Sequence, residues 1–363
     1  MKFGFWLPIF GGWLRNVKEE HMPPTFDYAK NVIQSAEAWG FDMTLIAELY
    51  LNDIKGIEHD SLEAWSTASA LAAVTEKIEI LTAIRPGFHN PAVIAKMAAN
   101  IDHISNGRFT LNIVSAWWEE EAKQYGGIFT KHNERYDRTE EFIEILKGLW
   151  TQQSFRYDGE FYQIENAHLE PKPIQHPYPT LYAGGESERG KQAIVNQCDA
   201  YVMHGGTVDE IALKIADMKE RRANAGKEPF QQFGMAAYVI CRDSEKEAQQ
   251  ELQRITNVKK SASGYAGFVD FTTKSKLEKQ VTLMDYSVSN RGLRPNLIGT
   301  PLQIAERIHA YEKVGLDLLI LQFSPQLEEM ERFAKDVIPL IKEKSSVERG
   351  LRNDGKNLCH SRK

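Results

Sequence analysis

Cysteine is scarce. The 363 residues hold three, Cys198, Cys241 and Cys359, far apart and without a C-x-x-C. That odd, unspaced set excludes a disulfide framework and a cysteine zinc knuckle, and it points to a reducing, cytoplasmic setting. Long apolar runs are missing too: nothing approaches the ~18 residues of a membrane-spanning helix. The apolar start, Phe3 to Leu14, follows a single Lys2, is interrupted by Pro8 and lacks a small-x-small cleavage site. It reads as a buried strand and not as a signal peptide. There is no excess of positive charge, with 44 basic against 50 acidic residues and a net charge of −6. A broad nucleic-acid face and a polybasic membrane patch are therefore excluded. No G-x-G-x-x-G occurs, so a tightly held nicotinamide cofactor has no support. No H-E-x-x-H or comparable histidine pair occurs, which argues against a catalytic metal.

What is present is the composition of a folded globular protein, 42% hydrophobic and 26% charged, with disorder and fibrous architecture excluded. Short β-rich runs alternate with stretches of helical spacing. The runs are Phe3 to Phe10, Met43 to Glu48, Ile78 to Arg85, Phe109 to Ala116, Thr180 to Ala183, Ala200 to His204, Phe233 to Cys241 and Leu316 to Phe323. Each is followed by a helical stretch, with a further helix from Pro301 to Val314 before the last strand. Several runs are continuously apolar, as parallel strands buried on both faces are. The pattern predicts one α/β domain over 1–344, a (β/α)8 TIM barrel. Phe155 to Pro179 reads as a hairpin insertion turning at Asp158-Gly159. Val258 to Asn296, long, polar and weakly periodic, reads as a mobile lid. The polar end, 345–363, is expected to be disordered.

A barrel of this kind carries its active site at the C-terminal strand ends. That rule selects Phe10, Glu48, Arg85, Asn112, Ser115, Trp117, Gly185, His204, Tyr238 and Ser324. The sharpest local signal is Ala183-Gly184-Gly185-Glu186-Ser187, which follows a strand and opens a helix. It reads either as an anion site for a phosphate-bearing cofactor or as a plain turn with Ser187 as N-cap. The same stretch nearly spells a P-loop, Gly185-x4-Gly190-Lys191, but Gln192 stands where Ser or Thr should hold magnesium. A nucleotide-binding P-loop protein is the remote rival. Trp117-Trp118 reads as packing or as a platform for a planar ring, and the acidic run Glu119 to Glu121 as a solvated face.

Several segments together resemble one family. They are Phe5-Trp6-Leu7-Pro8, Ala36-Glu37-Ala38-Trp39-Gly40-Phe41, Ala95 to Asp102, Ser105-Asn106-Gly107-Arg108-Phe109 leading into Leu111 to Ser115, His132-Asn133-Glu134-Arg135-Tyr136, Gly184 to Ser187, and Asn296-Leu297-Ile298-Gly299-Thr300-Pro301. Over about residues 1–342 the chain resembles the bacterial luciferase-like FMNH2-dependent monooxygenases, nearest to the alkanesulfonate and dimethyl sulfone monooxygenases. The resemblance implies a TIM barrel that takes reduced FMN from a separate NAD(P)H:FMN reductase and uses O2 on a small organosulfur compound, with C–S cleavage. It implies Asn112 and Ser115 at the isoalloxazine or ribityl portion, His132 and Tyr136 along the ribityl–phosphate arm, and Gly185, Glu186 and Ser187 at the phosphate. A homodimer or homotetramer is implied as well.

Some family positions differ. The histidine after the first Leu-Pro is Phe10, an active-site cysteine is Ser61, an Arg and a His on strand seven are Ala236 and Tyr238, and a strand-eight tyrosine is Ser324. Arg85 is kept, and Arg291 lies in the lid segment near the family's lid arginine, with Arg294 beside it. Arg85 and Arg291 are therefore the expected sulfonyl-binding pair, and His204 and Tyr238 the expected proton donors. Pyrimidine or alkane oxygenation, deazaflavin-dependent hydride transfer and a non-catalytic flavin-binding homologue remain the alternatives.

Overall fold

The computed structural model describes residues 1–115, 118–257, 282, 285 and 287–342. Trp117, most of the expected lid (258–281) and the expected tail (345–363) lie outside the described residues. The chain runs β1 (Lys2–Trp6), α1 (Phe26–Trp39), β2 (Met43–Ile46), α2 (Ala64–Ala72), β3 (Glu79–Ile84), α3 (Pro91–Ser105) and β4 (Phe109–Ile113). There follow α4 (Glu119–Gln124), α5 (His132–Thr151), a hairpin of β5 (Phe155–Asp158) and β6 (Gln163–Ala167), β7 (Leu181–Ala183), α6 (Glu188–Gln197), β8 (Ala200–Met203) and α7 (Val208–Asn224). The last part is β9 (Gln232–Cys241), α8 (Glu245–Thr256), β10 (Leu297–Gly299), α9 (Pro301–Lys313), β11 (Leu318–Gln322) and α10 (Gln326–Asp336).

Eight strands close on one another in parallel, in the order β1-β2-β3-β4-β7-β8-β9-β11 and back to β1. This is the TIM barrel. β10 adds to the C-terminal half of β9, with Leu297 opposite Val239. Period-two alternation sorts the side chains. Met43, Leu45, Leu81, Tyr182, Ala200, Leu318 and Ile320 form a compact interior cluster, with Trp6 and Val202 packed against it. The alternate residues, such as Phe3, Phe5, Leu111 and Leu319, join the larger core between strands and helices.

Local chemistry sets the boundaries. Thr25 caps α1, its hydroxyl accepting from Tyr28 N, and Gly40 ends the helix at φ 84°. Asn90 caps α3 ahead of Pro91. Thr207 with Glu210 and Thr300 with Gln303 form capping boxes at α7 and α9. In the hairpin, Asp158 is still strand, and the turn spans 159–162, closed by Gly159 N donating to Tyr162 O at 3.0 Å. The described end of the expected lid is packed: Val288 bridges to Leu14, and Gly292 O accepts from Tyr238 N at 2.7 Å. Among the described residues no helix is long and apolar enough to cross a membrane.

Candidate active site

β1 ends at Trp6, not at Phe10, because Pro8 cannot donate to the sheet. The inward residues at the C-terminal end therefore include Trp6 on β1, Asn112 on β4 and Gln322 on β11. Asn112 stands opposite Ala83 and Tyr182. Its Oδ1, and the Ser115 Oγ just beyond β4, are buried with no hydrogen-bond partner among the described residues. A buried polar atom left unpaired costs about 1–3 kcal/mol, so these two mark a place where a ligand completes the bonding.

The turn after β7 forms the second part. Ser187 is the N-cap of α6, its Oγ accepting from Gly190 N at 3.1 Å. The cap leaves the hydroxyl proton able to donate, so the capping and anion-binding readings are compatible. Tyr136 reaches this turn from α5: a methyl group on Gly190 would stand 2.8 Å from the Tyr136 Oη and 3.0 Å from the Ser187 Oγ. His132 packs edge-on against Tyr136, ring centres 5.2 Å apart. His132, Tyr136, Gly185 and Ser187 are thus brought together from two separate segments. Lys191, the lysine of the near P-loop, instead turns to α7 and pairs with Asp217 at 3.1 Å.

Glu186 organises the third part. It takes both guanidinium nitrogens of Arg291 at 2.9 and 2.8 Å and Lys214 Nζ at 2.6 Å, with His204 Nδ1 at 3.7 Å. Burial opposes ionisation of this carboxyl, but the Arg291 bond, with His204 and Lys214, outweighs it and holds the group well below the usual carboxylate range. Arg291 is 4% exposed and sits at φ 54°, directly after Asn290 at φ 59°. Glu186 binds the guanidinium edge-on through both Nη atoms, while Arg291 Nε is buried with no hydrogen-bond partner among the described residues, so any contact with a sulfonyl group falls to that nitrogen.

Arg85 is held by carboxylates but not saturated: its Nε and Nη2 are buried with no hydrogen-bond partner among the described residues. It is 1% exposed, binds Glu121 through Nη1, and lies 3.5 Å from Glu48 through Nε. Phe88 and Tyr50 stack on it at 4.2 and 5.1 Å. Glu48 also accepts from Arg85 N and holds His89 at 2.7 Å. Arg85 and Arg291 are held by separate carboxylates, not by each other's ligand. Tyr238 is 1% exposed, lies beneath the 288–292 turn and stands opposite Gln322 in register, on the same inward face of the barrel. Burial pushes its phenol far above the ordinary value, so the free tyrosine keeps its proton. His204 is half-exposed beside Glu186, its Nδ1 3.7 Å from the carboxylate.

The sequence reading misses three features. Glu121 is not a solvated residue: it is fully buried and accepts from Tyr50 N at 2.6 Å and from Arg85. Glu20, 3% exposed, accepts from Trp13 N, Leu14 N, Lys55 Nζ and Ser324 Oγ, and so ties the loop after β1 across the mouth. Ser324 is therefore a partner of Glu20. Trp6 and Gln322, neither of them selected, stand at true strand ends. A cavity of about 420 Å3 lined by Tyr50, Glu63, Trp65, His89 and Met97 opens between α2 and α3, outside the barrel wall. Among the described residues no group of three His, Cys, Asp or Glu side chains could hold a metal ion.

A closed parallel barrel whose polar groups gather at the C-terminal strand ends, beside a glycine turn that opens a helix, defines a TIM-barrel enzyme with a site for a planar, anion-bearing cofactor. The chain belongs to the luciferase-like monooxygenase family, which it matches over residues 1–318. It is 35% identical over 351 residues to an FMNH2-dependent dimethylsulfone monooxygenase of Pseudomonas putida, covering 94% of this chain and 96% of that protein. Among solved structures it is similar to a long-chain alkane monooxygenase (TM-score 0.78, 17% identity, 95% and 92% of the two chains). It is also similar to DmoA from Hyphomicrobium sulfonivorans (TM-score 0.77, 18% identity, 95% and 88%). At those identities the two structures speak for the fold alone.

Proposed function

We propose that the protein is a reduced-FMN-dependent monooxygenase that oxygenates a small, neutral sulfone with C–S cleavage, fed by a separate NAD(P)H:FMN reductase. The observation that carries this is the match at 35% identity, along nearly the whole of both chains, to a protein named for FMNH2 and dimethylsulfone. The residues fit that cofactor. Asn112 Oδ1 and Ser115 Oγ are unpaired at the mouth, where an isoalloxazine edge would bond them. The Gly185–Gly190 turn is roofed by Tyr136, and at Gly190 there is no room for a side chain. Gly185, Glu186 and Ser187 would hold the phosphate through backbone N–H groups and the Ser187 hydroxyl, and His132 and Tyr136 would line the arm. When bound, the reduced flavin supplies the electrons and activates O2.

The chain's own residues do the rest. Glu186 keeps Arg291 and Lys214 in place beside the phosphate turn. His204, next to that carboxylate, is the candidate proton donor at the mouth. Glu20 and Ser324 close the loop after β1 over the barrel and exclude water. The choice of sulfone over sulfonate is supported by the relative named for dimethylsulfone and by the carboxylates that already offset much of the charge of Arg85, Arg291 and Lys55. A homodimer or homotetramer and a cytoplasmic location belong to the same proposal, the first by analogy with the family.

The test supplies reduced FMN, O2 and, in turn, dimethyl sulfone, methanesulfonate, octanesulfonate, uracil and a long alkane. Sulfinate release from dimethyl sulfone is expected. Turnover confined to uracil or alkanes, or activity with a deazaflavin cofactor and none with FMN, overturns the proposal.

A further inference from the structure

We infer that Trp6 and Gln322 together form the subsite that binds an oxygen of a neutral substrate, a sulfone oxygen if the functional proposal above, on which this rests, is right. β1 and β11 pair in parallel with Phe5 opposite Leu321, so the next pair in register is Trp6 and Gln322, the last residue of each strand. Both share the inward face with Leu318 and Ile320. Trp6 packs on the interior cluster, and Gln322 is 1% exposed. The Trp6 Nε1 and the Gln322 Oε1 are both buried, and neither has a hydrogen-bond partner among the described residues.

The polar groups around the pair are engaged with one another. Gln326 accepts from Trp13 Nε1 at 2.9 Å and donates to the Trp6 carbonyl at 3.2 Å. Ser324 donates to Glu20 at 2.6 Å, and Glu20 binds Lys55. The Trp6 Nε1 and the Gln322 Oε1 therefore remain unpaired at neighbouring strand ends above the apolar interior cluster, with Tyr238 opposite Gln322 on its other side. An indole N–H only donates. A carboxamide donates or accepts after a half-turn that exchanges its oxygen and nitrogen. Together they suit one oxygen that accepts two hydrogen bonds and carries no net charge. The Glu20 carboxylate, bound to Ser324 two residues beyond Gln322, disfavours an anionic sulfonate there relative to a neutral S=O group. The pair thus selects for the neutral S=O group as well as binding it.

The experiment compares the wild-type enzyme with Gln322→Leu and Trp6→Phe. It reads KM and kcat for dimethyl sulfone, dimethyl sulfone binding by ligand-observed NMR, and reduced-FMN affinity by anaerobic titration. Each variant should raise the sulfone KM and dissociation constant roughly tenfold, the scale of one lost hydrogen bond, with reduced-FMN affinity within about twofold of wild type. Gln322→Arg should shift the ratio of kcat/KM values towards methanesulfonate. Circular dichroism selects folded variants, and Trp6→Phe removes the donor with little change of shape. If neither variant folds, the wild-type indole N–H spectrum decides: one resonance must shift on sulfone titration, and none shifting overturns the inference. Unchanged sulfone binding in a folded variant also overturns it, as does a loss confined to reduced FMN, which would assign the pair to the flavin. Wild-type enzyme that turns over sulfone while the variants match it removes only the subsite. Wild-type enzyme that neither binds nor turns over sulfone removes the functional proposal and the subsite together.

Discussion

Replacing Glu121 by Gln tests how the mouth is held. Three acidic residues stand in a row, yet their environments differ. Glu119 is part-exposed and pairs with Lys123 one helical turn on, at 3.1 Å. Glu121 has no exposed surface; it binds the buried Arg85 and accepts from Tyr50 N and Leu51 N at 2.6 and 3.3 Å. Neutralising it leaves a buried guanidinium with Glu48 as its remaining carboxylate at 3.5 Å. Breaking a buried pair costs about 3–5 kcal/mol; with Glu48 still in place the lower end applies, about 3 kcal/mol. Unfolding entropy is about 2.1 cal/mol/K per residue, so for a chain of this length about 3 kcal/mol lowers Tm by roughly 4 °C. Glu119→Gln should cost no more than about 0.5 kcal/mol. Urea unfolding of both variants beside wild type measures the difference. Equal losses, or a loss below about 1 kcal/mol for Glu121→Gln, refute the claim that Glu121 anchors Arg85.

What the sequence made legible was local. Ser187 as a cap, Gly40 as a stop and Val208–Asn224 as a helix need only a few neighbouring residues, and the structure has them. The eightfold alternation yields the barrel, because parallel strands and their crossover helices each carry their own period. Sequence separation hid the partnerships. Glu186 and Arg291 lie 105 residues apart, and Glu20 and Ser324 are 304 apart. The first pair meets when β7, β8 and β9 line up and the second when β11 closes on β1, so neither periodicity nor spacing could show that the arginines have carboxylate partners. Glu121 was misread for a related reason: a charged residue is buried when a partner across the fold meets it, and Arg85 is 36 positions away. The family motifs also mix roles. Arg108, inside Ser105 to Phe109, donates to the Ala72, Thr75 and Ile78 carbonyls and so fastens the loop before β3, well away from chemistry.

Two further perturbations address the phosphate turn. Gly190→Ala places a methyl group 2.8 Å from Tyr136 Oη and 2.9 Å from its Cζ, so Tyr136 must move; reduced-FMN affinity in an anaerobic titration should fall roughly tenfold, about 1.4 kcal/mol, and unchanged affinity removes Tyr136 from the cofactor site. Glu186→Gln tests the ion cluster through pH. The native carboxyl is held below its ordinary value, so its stabilisation is present in full above the unfolded pKa, about 4.3, and is lost as pH falls towards the native value. At pH 7 the variant leaves Arg291 and Lys214 facing a neutral amide, and the loss should be about 3 kcal/mol. As pH drops below about 4 the wild type gives up the same stabilisation, because the unfolded state binds a proton that the native Glu186 still refuses. The gap between the two proteins in urea unfolding should therefore narrow steadily from pH 5 to pH 3. A gap that stays constant over that range would mean that the variant loses packing and not charge, and the cluster would then be no electrostatic anchor for Arg291.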